Sequence, residues 1–176
     1  PWPAGSTTGS PAGSGYLTSP TITISSPFSG TSGASAIVTG EDSASGGNIN
    51  TRYISRRVTL EDGFDASDLK IIINAYKPVD TGIEVYYKVK ADEDSQDFDE
   101  KGYTLMSQET ANTVYSLSED DTKEYVYQSA NESIEYTSGG AKFDRFKTFA
   151  IKIALTSTNA AVVPKVRDMR AIALDT

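Results

Sequence analysis

Two stretches of alternation constrain this chain more than any other feature. In Ile83-Glu84-Val85-Tyr86-Tyr87-Lys88-Val89-Lys90, and again in Phe149-Ala150-Ile151-Lys152-Ile153-Ala154-Leu155-Thr156, apolar residues recur at every second position. A period of two belongs to a β-strand with one face on a core; a helix would scatter these side chains around its circumference. Ile83, Val85, Tyr87 and Val89 form one inward set, and Phe149, Ile151, Ile153 and Leu155 the other. Glu84, Lys88 and Lys90 with Tyr86 are expected to face water, and Ala150, Lys152, Ala154 and Thr156 to line the opposite face of their strand.

The rest of the chain from Arg52 onward follows the same rule. Arg52–Leu60 places Ile54, Val58 and Leu60 on one side, with Arg56 in the same phase, where it must snorkel or sit at an edge. Leu69–Tyr76 is nearly continuous in apolar residues, the pattern of a strand covered on both faces. Val166–Leu174 supplies a last long strand, and shorter ones are predicted at Tyr103–Met106, Val114–Leu117, Glu124–Gln128 and Ile134–Thr137. Turn residues punctuate them at Glu61-Asp62-Gly63, Lys77–Gly82, Ser138-Gly139-Gly140 and Asn159–Pro164. No segment has convincing amphipathic-helix spacing. The expected fold class is therefore all-β, a jelly-roll-like β-sandwich over residues 50–176.

Residues 1–45 differ in kind. The first 40 contain no charged side chain, and 28 of them are Gly, Pro, Ser or Thr, a composition that rarely buries enough apolar surface to fold alone. Thr21-Ile22-Thr23-Ile24-Ser25 nevertheless alternates and is β-branched, Ala34–Thr39 is a second β-prone run, and Gly30-Thr31-Ser32-Gly33 offers a turn between them. The expectation is an extended or β-hairpin arm. Two strands are marginal in water, so this arm needs a neighbour. A chain that opens on Pro1 is read as a processed or partial product.

Charge and residue types narrow the function classes. A net charge of −8, with no Lys/Arg cluster, opposes nucleic-acid binding, which relies on basic groups displacing phosphate counterions. The absence of His and Cys removes imidazole and thiolate metal ligands, the Cys nucleophile and His-dependent triads. No apolar run reaches the ~18 residues of a membrane-spanning helix. The acidic run Asp92–Glu100 fails the EF-hand pattern, with Asp97 where glycine is required, and reads as a solvated loop; Glu119-Asp120-Asp121 reads likewise. No cofactor, metal site or catalytic residue is expected, and the chain is read as not an enzyme.

Two segments carry a family resemblance. GSGYLTSPTITISSPFSGTSGASAIVTG is similar to the Gly-x-Gly-Tyr…Pro-Thr-Ile-Thr-Ile…Gly-Ala repeats of large structural proteins of tailed bacteriophages, particularly T4-like phages of marine cyanobacteria. TRYISRRVTLEDGFDASDLKIIINAYKPVDTGIEVYYKVKADEDSQDFDEKGYTLM, with FKTFAIKIALTST and VPKVRDMRAIAL, resembles the β-sandwich domain that follows such repeats. The resemblance implies a tail or baseplate structural protein located in the virion, assembled with other tail proteins and as a homo-oligomer. Interface candidates are Tyr16, Ile22 and Ile24 in the arm and Arg56, Arg57, Arg167 and Arg170 in the sandwich, Arg being common at interfaces. The competing reading of the arginines is pairing with the chain's own carboxylates. The alternative function is a carbohydrate-binding module for host-surface glycans, with Tyr86, Tyr103, Tyr125 and Tyr136 as stacking candidates.

Overall fold

The computed structural model describes residues 51–159 and 161–175, together with the paired strands β1 (Thr21–Ile22) and β2 (Ala36–Ile37). Those two align antiparallel, Thr21 opposite Ile37, which is the hairpin pairing expected of the arm; the rest of the arm, with Tyr16 and Ile24, lies outside the described residues. All regular structure among the described residues is β-strand. No helix there is long and apolar enough to cross a membrane.

The strands form two main antiparallel sheets. One contains β3 (Arg52–Ile54), β4 (Val58–Thr59), β6 (Thr81–Lys90), β7 (Thr104–Leu105) and β12 (Thr148–Ser157). Within it the order is β3-β12-β6-β7, and β4 continues the β3 edge along β12. The other sheet contains β5 (Asp68–Tyr76), β8 (Ser107–Gln108), β9 (Lys123–Gln128) and β13 (Lys165–Leu174), ordered β13-β5-β9-β8. A separate hairpin joins β10 (Tyr136–Ser138) to β11 (Ala141–Phe143) through Gly139 and Gly140, whose φ angles of 56° and 84° suit glycine.

Alternation explains why the sheets stack. Leu69, Ile71, Ile73, Tyr125 and Tyr127 from one sheet meet Ile83, Val85, Tyr87, Val89, Phe149, Ile151 and Ile153 from the other in a single buried core. Both predicted inward sets are where the alternation placed them. The buried Tyr127 hydroxyl donates across the core to the Ile83 carbonyl at 2.9 Å, so a core phenol keeps its hydrogen bond. β5 departs from expectation: Leu69, Ile71, Ile73 and Ala75 are buried, but Lys70, Ile72, Asn74 and Tyr76 are half-buried, so only one face meets the core.

The stretch Arg52–Leu60 is not one strand. Ile54 stands opposite Lys152 on the outer face, whereas Val58 stands opposite Phe149 on the inner face, so the phase flips across Ser55–Arg57. The Ser55 hydroxyl accepts from the Ile151 N–H at 2.9 Å and donates to the Arg56 carbonyl at 2.9 Å, satisfying backbone groups where the ladder breaks. Val114–Leu117 also forms no strand; Ser116 instead closes the end of β5, its N–H donating to the Lys77 carbonyl at 2.7 Å and its hydroxyl accepting from the Lys77 N–H at 3.0 Å.

Close packing at the start of β6 gives a specific prediction. A Cβ at Gly82 would collide with the Oγ1 of Thr156, its cross-strand partner, an atom that is itself buried without a hydrogen-bond partner among the described residues. Threonine is stiff at χ1, so relief requires backbone movement. Gly82→Ala should destabilise the fold by about 1–3 kcal/mol in urea unfolding, and by less in a Thr156→Ala background.

Candidate functional site

The sandwich has one closed side and one open side. On the closed side the chain leaves β7 and enters β8 in the other sheet through the single buried residue Met106, whose N–H donates to the Val85 carbonyl at 2.8 Å. On the open side the edges are β3/β4 in one sheet and β13 in the other. Tyr53 and Val58 pair with the core residues Ile153 and Phe149, so they belong to the inner face, yet they are 55% and 41% exposed. On β13, Met169, Ala171 and Ala173 pair with Ile73, Ile71 and Leu69 and share their inward phase. Met169 and Ala173 are only half-buried, and Ala171 is exposed. Inner-face side chains are therefore uncovered along this side.

The arginines flank these edges. Arg167 donates to the Glu119 carbonyl at 2.9 Å and lies 3.7 Å from Asp120; Arg170 reaches Glu124 at 2.5 Å and Asp168 at 3.9 Å. Beside them Lys165 pairs with Glu119 at 2.8 Å, holding that carboxyl below its usual pKa. The acidic turn Glu119–Asp121 is thus partnered by basic groups of β13 and by Lys123, and the pairs are exposed enough that each adds little stability. Arg56 and Arg57 are exposed in the break between β3 and β4, with Arg57 5.7 Å from the Phe98 ring centroid. The four arginines lie on edge segments of different sheets.

A second locus is the outer face of β6 and β12, where the β6 residues Tyr86 and Lys88 are expected from the sequence to face water. The acidic segment after β6 folds back over it. Lys88 sits 4.6 Å from the Phe98 ring and 5.0 Å from Tyr103, and Lys152 4.4 Å from Tyr86 and 4.6 Å from Tyr103. Lys88, Tyr86 and Lys152 are consequently buried. Burial pushes the Lys88 ammonium below its ordinary pKa, opposed by the nearby Asp99 and Asp97 carboxylates. The rings offer these ammonium groups favourable faces in exchange for lost water.

Asp94 pins that segment down. Its side chain, 1% exposed, pairs with Lys101 and accepts from Ser138 Oγ at 2.8 Å, Tyr136 Oη at 2.9 Å and the Gln96 N–H at 3.0 Å. Burial alone would raise the carboxyl's pKa, but the Lys101 ammonium and these donors outweigh it and hold the group well below the usual carboxylate range. Tyr136, also accepting from the Ala91 N–H at 2.7 Å and stacked on Phe143 at 5.2 Å, has its phenol pushed up to about 12, chiefly by burial, with the Asp94 carboxylate adding to it. The acidic run is therefore not simply solvated. Its one sequence signal is Lys101, the only cation between Ala91 and Gly102.

The four tyrosines proposed for glycan stacking separate accordingly. Tyr125 is fully buried, its hydroxyl donating to the Val114 carbonyl at 3.0 Å, and has no free face for a sugar ring. Tyr86 is buried and donates to Glu84 at 2.8 Å. Tyr103 and Tyr136 both line a cleft of about 450 Å³ with Lys88, Gln96, Glu100 and Lys101. Among the described residues no three carboxylates converge into a metal-binding group. Compared with known protein families, curated proteins and solved structures, the chain matches none.

Proposed function

We propose that this chain is a virion structural protein of a tailed bacteriophage, a tail or baseplate component that works by protein–protein assembly and catalyses nothing. One observation carries the reading: inner-face residues Tyr53, Val58 and Ala171 stand exposed along one side of an otherwise well-packed sandwich, where a partner would cover them. The charge-free first 40 residues, with their β-branched run Thr21–Ser25, support it, since such a segment suits strand addition to a sheet edge, where backbone groups supply the bonds. The phage repeats that the arm resembles give the assembly its setting, with other tail proteins and further copies of this chain as partners. Removing residues 1–45 should abolish or sharply reduce incorporation into tail particles; unchanged incorporation would overturn the reading.

A carbohydrate-binding role has one observation in its favour, the cleft that brings Tyr103 and Tyr136 together with polar side chains. Saturable binding on a glycan array, with and without calcium, that is lost in Tyr103→Ala would put this role first.

A further inference from the structure

We propose that a cavity of about 320 Å³ beside the first half of β6 binds a small monocarboxylate with an apolar body, its carboxylate held by the Lys77 ammonium and the Gln108 side-chain amide.

The strand layout opens the cavity. Among the described residues β7 accompanies β6 only at Tyr86 and Tyr87, and Met106 then carries the chain into the other sheet. Toward the Thr81 end, the space beside β6 is bounded by Lys77, just beyond β5, by Gln108 on β8 and by Tyr115 in the loop that follows. Ile83, Met106 and Tyr127 supply apolar walls, and the Tyr127 hydroxyl is already spent on the Ile83 carbonyl. A space of this size, apolar on most sides with a few convergent polar groups, suits a small organic ligand.

Lys77 sets the charge of that ligand. The residue is 3% exposed, yet among the described residues its ammonium bonds to one oxygen, the Asn112 carbonyl at 2.8 Å. The Tyr115 and Tyr125 ring centroids lie 5.1 and 5.4 Å away. Lys101, whose side chain is also buried, has Asp94 as its counter-charge, and Lys88 has Asp99 and Asp97 nearby. At Lys77 burial lowers the ammonium's pKa with no carboxylate opposing it. An ammonium donates three hydrogen bonds, and a buried charge without a counter-charge is costly, so an anion entering the cavity relieves both deficits.

Gln108 supplies a second donor. It stands opposite Tyr127 in the register of β8 and β9 and shares its inward phase, and its Nε2 is buried with no hydrogen-bond partner among the described residues. Unpaired buried donors are rare in folded proteins, and an acceptor oxygen in the cavity would satisfy this one. Two donors select a ligand group that only accepts, and a carboxylate does so with two oxygens. The one carboxylate lining the cavity, Glu84, accepts from the Tyr86 hydroxyl at 2.8 Å and lies in the opposite phase of β6 from Ile83 and Val85. An inorganic anion would leave the apolar walls uncovered, so an acid with a hydrocarbon body is favoured.

The full chain, titrated with benzoate and followed by amide chemical shifts in NMR, tests the site. Benzoate should bind saturably and shift the amides of residues 81–85 and 108–115, whereas benzamide, its uncharged counterpart, should bind about tenfold more weakly or worse. Lys77→Met, which keeps the length of the stem, should weaken benzoate binding on the order of tenfold or more, and Gln108→Leu about threefold or more. Thermal unfolding would show that each variant is folded. Should Lys77→Met fail to fold, the comparison of benzoate with benzamide on the wild type decides the matter without it. No saturable binding, equal binding of benzamide, shifts confined to residues away from the cavity, or full affinity in a folded Lys77→Met chain would each overturn the proposal. Inorganic phosphate binding as tightly as benzoate would overturn the choice of an apolar acid.

Discussion

Asp94→Ala should lower the unfolding free energy by about 3–5 kcal/mol, because it strands the Lys101 ammonium, whose side chain is 7% exposed, without its counter-charge. The same change removes the acceptor for Ser138, Tyr136 and the Gln96 N–H, so the segment above β6 and the β10–β11 hairpin lose their common anchor. Urea unfolding of the two proteins measures the difference. A second substitution, Lys101→Met, should recover part of the loss, since a pair replaced by apolar groups costs less than a pair broken. The pH dependence has a definite sign. A carboxyl whose pKa is depressed on folding stabilises the native state above its unfolded value, about 3.9, and that stability is lost as pH falls below it. The wild type should therefore lose stability more steeply with acid than Asp94→Ala. Equal slopes would mean that the Asp94–Lys101 pair contributes nothing in solution.

Phe146→Ala is expected to be comparably damaging, about 3–5 kcal/mol, for a different reason. The ring is fully buried and meets Phe149 edge-on at 6.0 Å. Its backbone exchanges hydrogen bonds with Ala66 at 2.8 and 2.9 Å, which ties the entry of β5 to the entry of β12 across the two sheets. Rigid backbone on both sides prevents the site from collapsing around the missing ring, so most of the cavity persists. Phe146→Leu should cost less. Thermal unfolding followed by circular dichroism would separate the three proteins, and a Phe146→Ala midpoint close to the wild type would contradict this account of the core.

The long strands were legible because their side chains need only a core on one side, and a period of two records that need residue by residue. Features that depend on partners distant in sequence were not. Val114–Leu117 has strand-forming residues, but Ser116 binds the backbone of Lys77, 39 residues earlier, and Leu117 points into solvent at 95% exposure. The flip at Ser55–Arg57 depends on a bulge that pattern alone does not reveal, since Ile54, Val58 and Leu60 keep their spacing in sequence whatever the ladder does. Lys88 looked like a water-facing position, and the burial of Lys152 went unsignalled, because nothing nearby in sequence announces that Phe98 and Tyr103 will cover them. In the candidate interface, the arm's alternation and the arginines could be read directly. The exposure of Tyr53 and Ala171 could not, because it follows from which strand occupies each edge.

The same strand order fixes how the molecule must fold. β5 lies between β9 and β13, and the Thr51 hydroxyl bonds to the Leu155 carbonyl 104 residues further on. The long central strands pair with partners far along the chain, β5 with β9 and β13 and β6 with β12, so loop-closure entropy is spent before most of the burial returns anything. Folding on the millisecond-to-second scale typical of such topologies leaves an interval in which β5 and β6 have met neither β12 nor β13. During that interval Leu69–Ala75 is an unpaired apolar ribbon, and the competition between closing the sandwich and joining a neighbour is decided by rate.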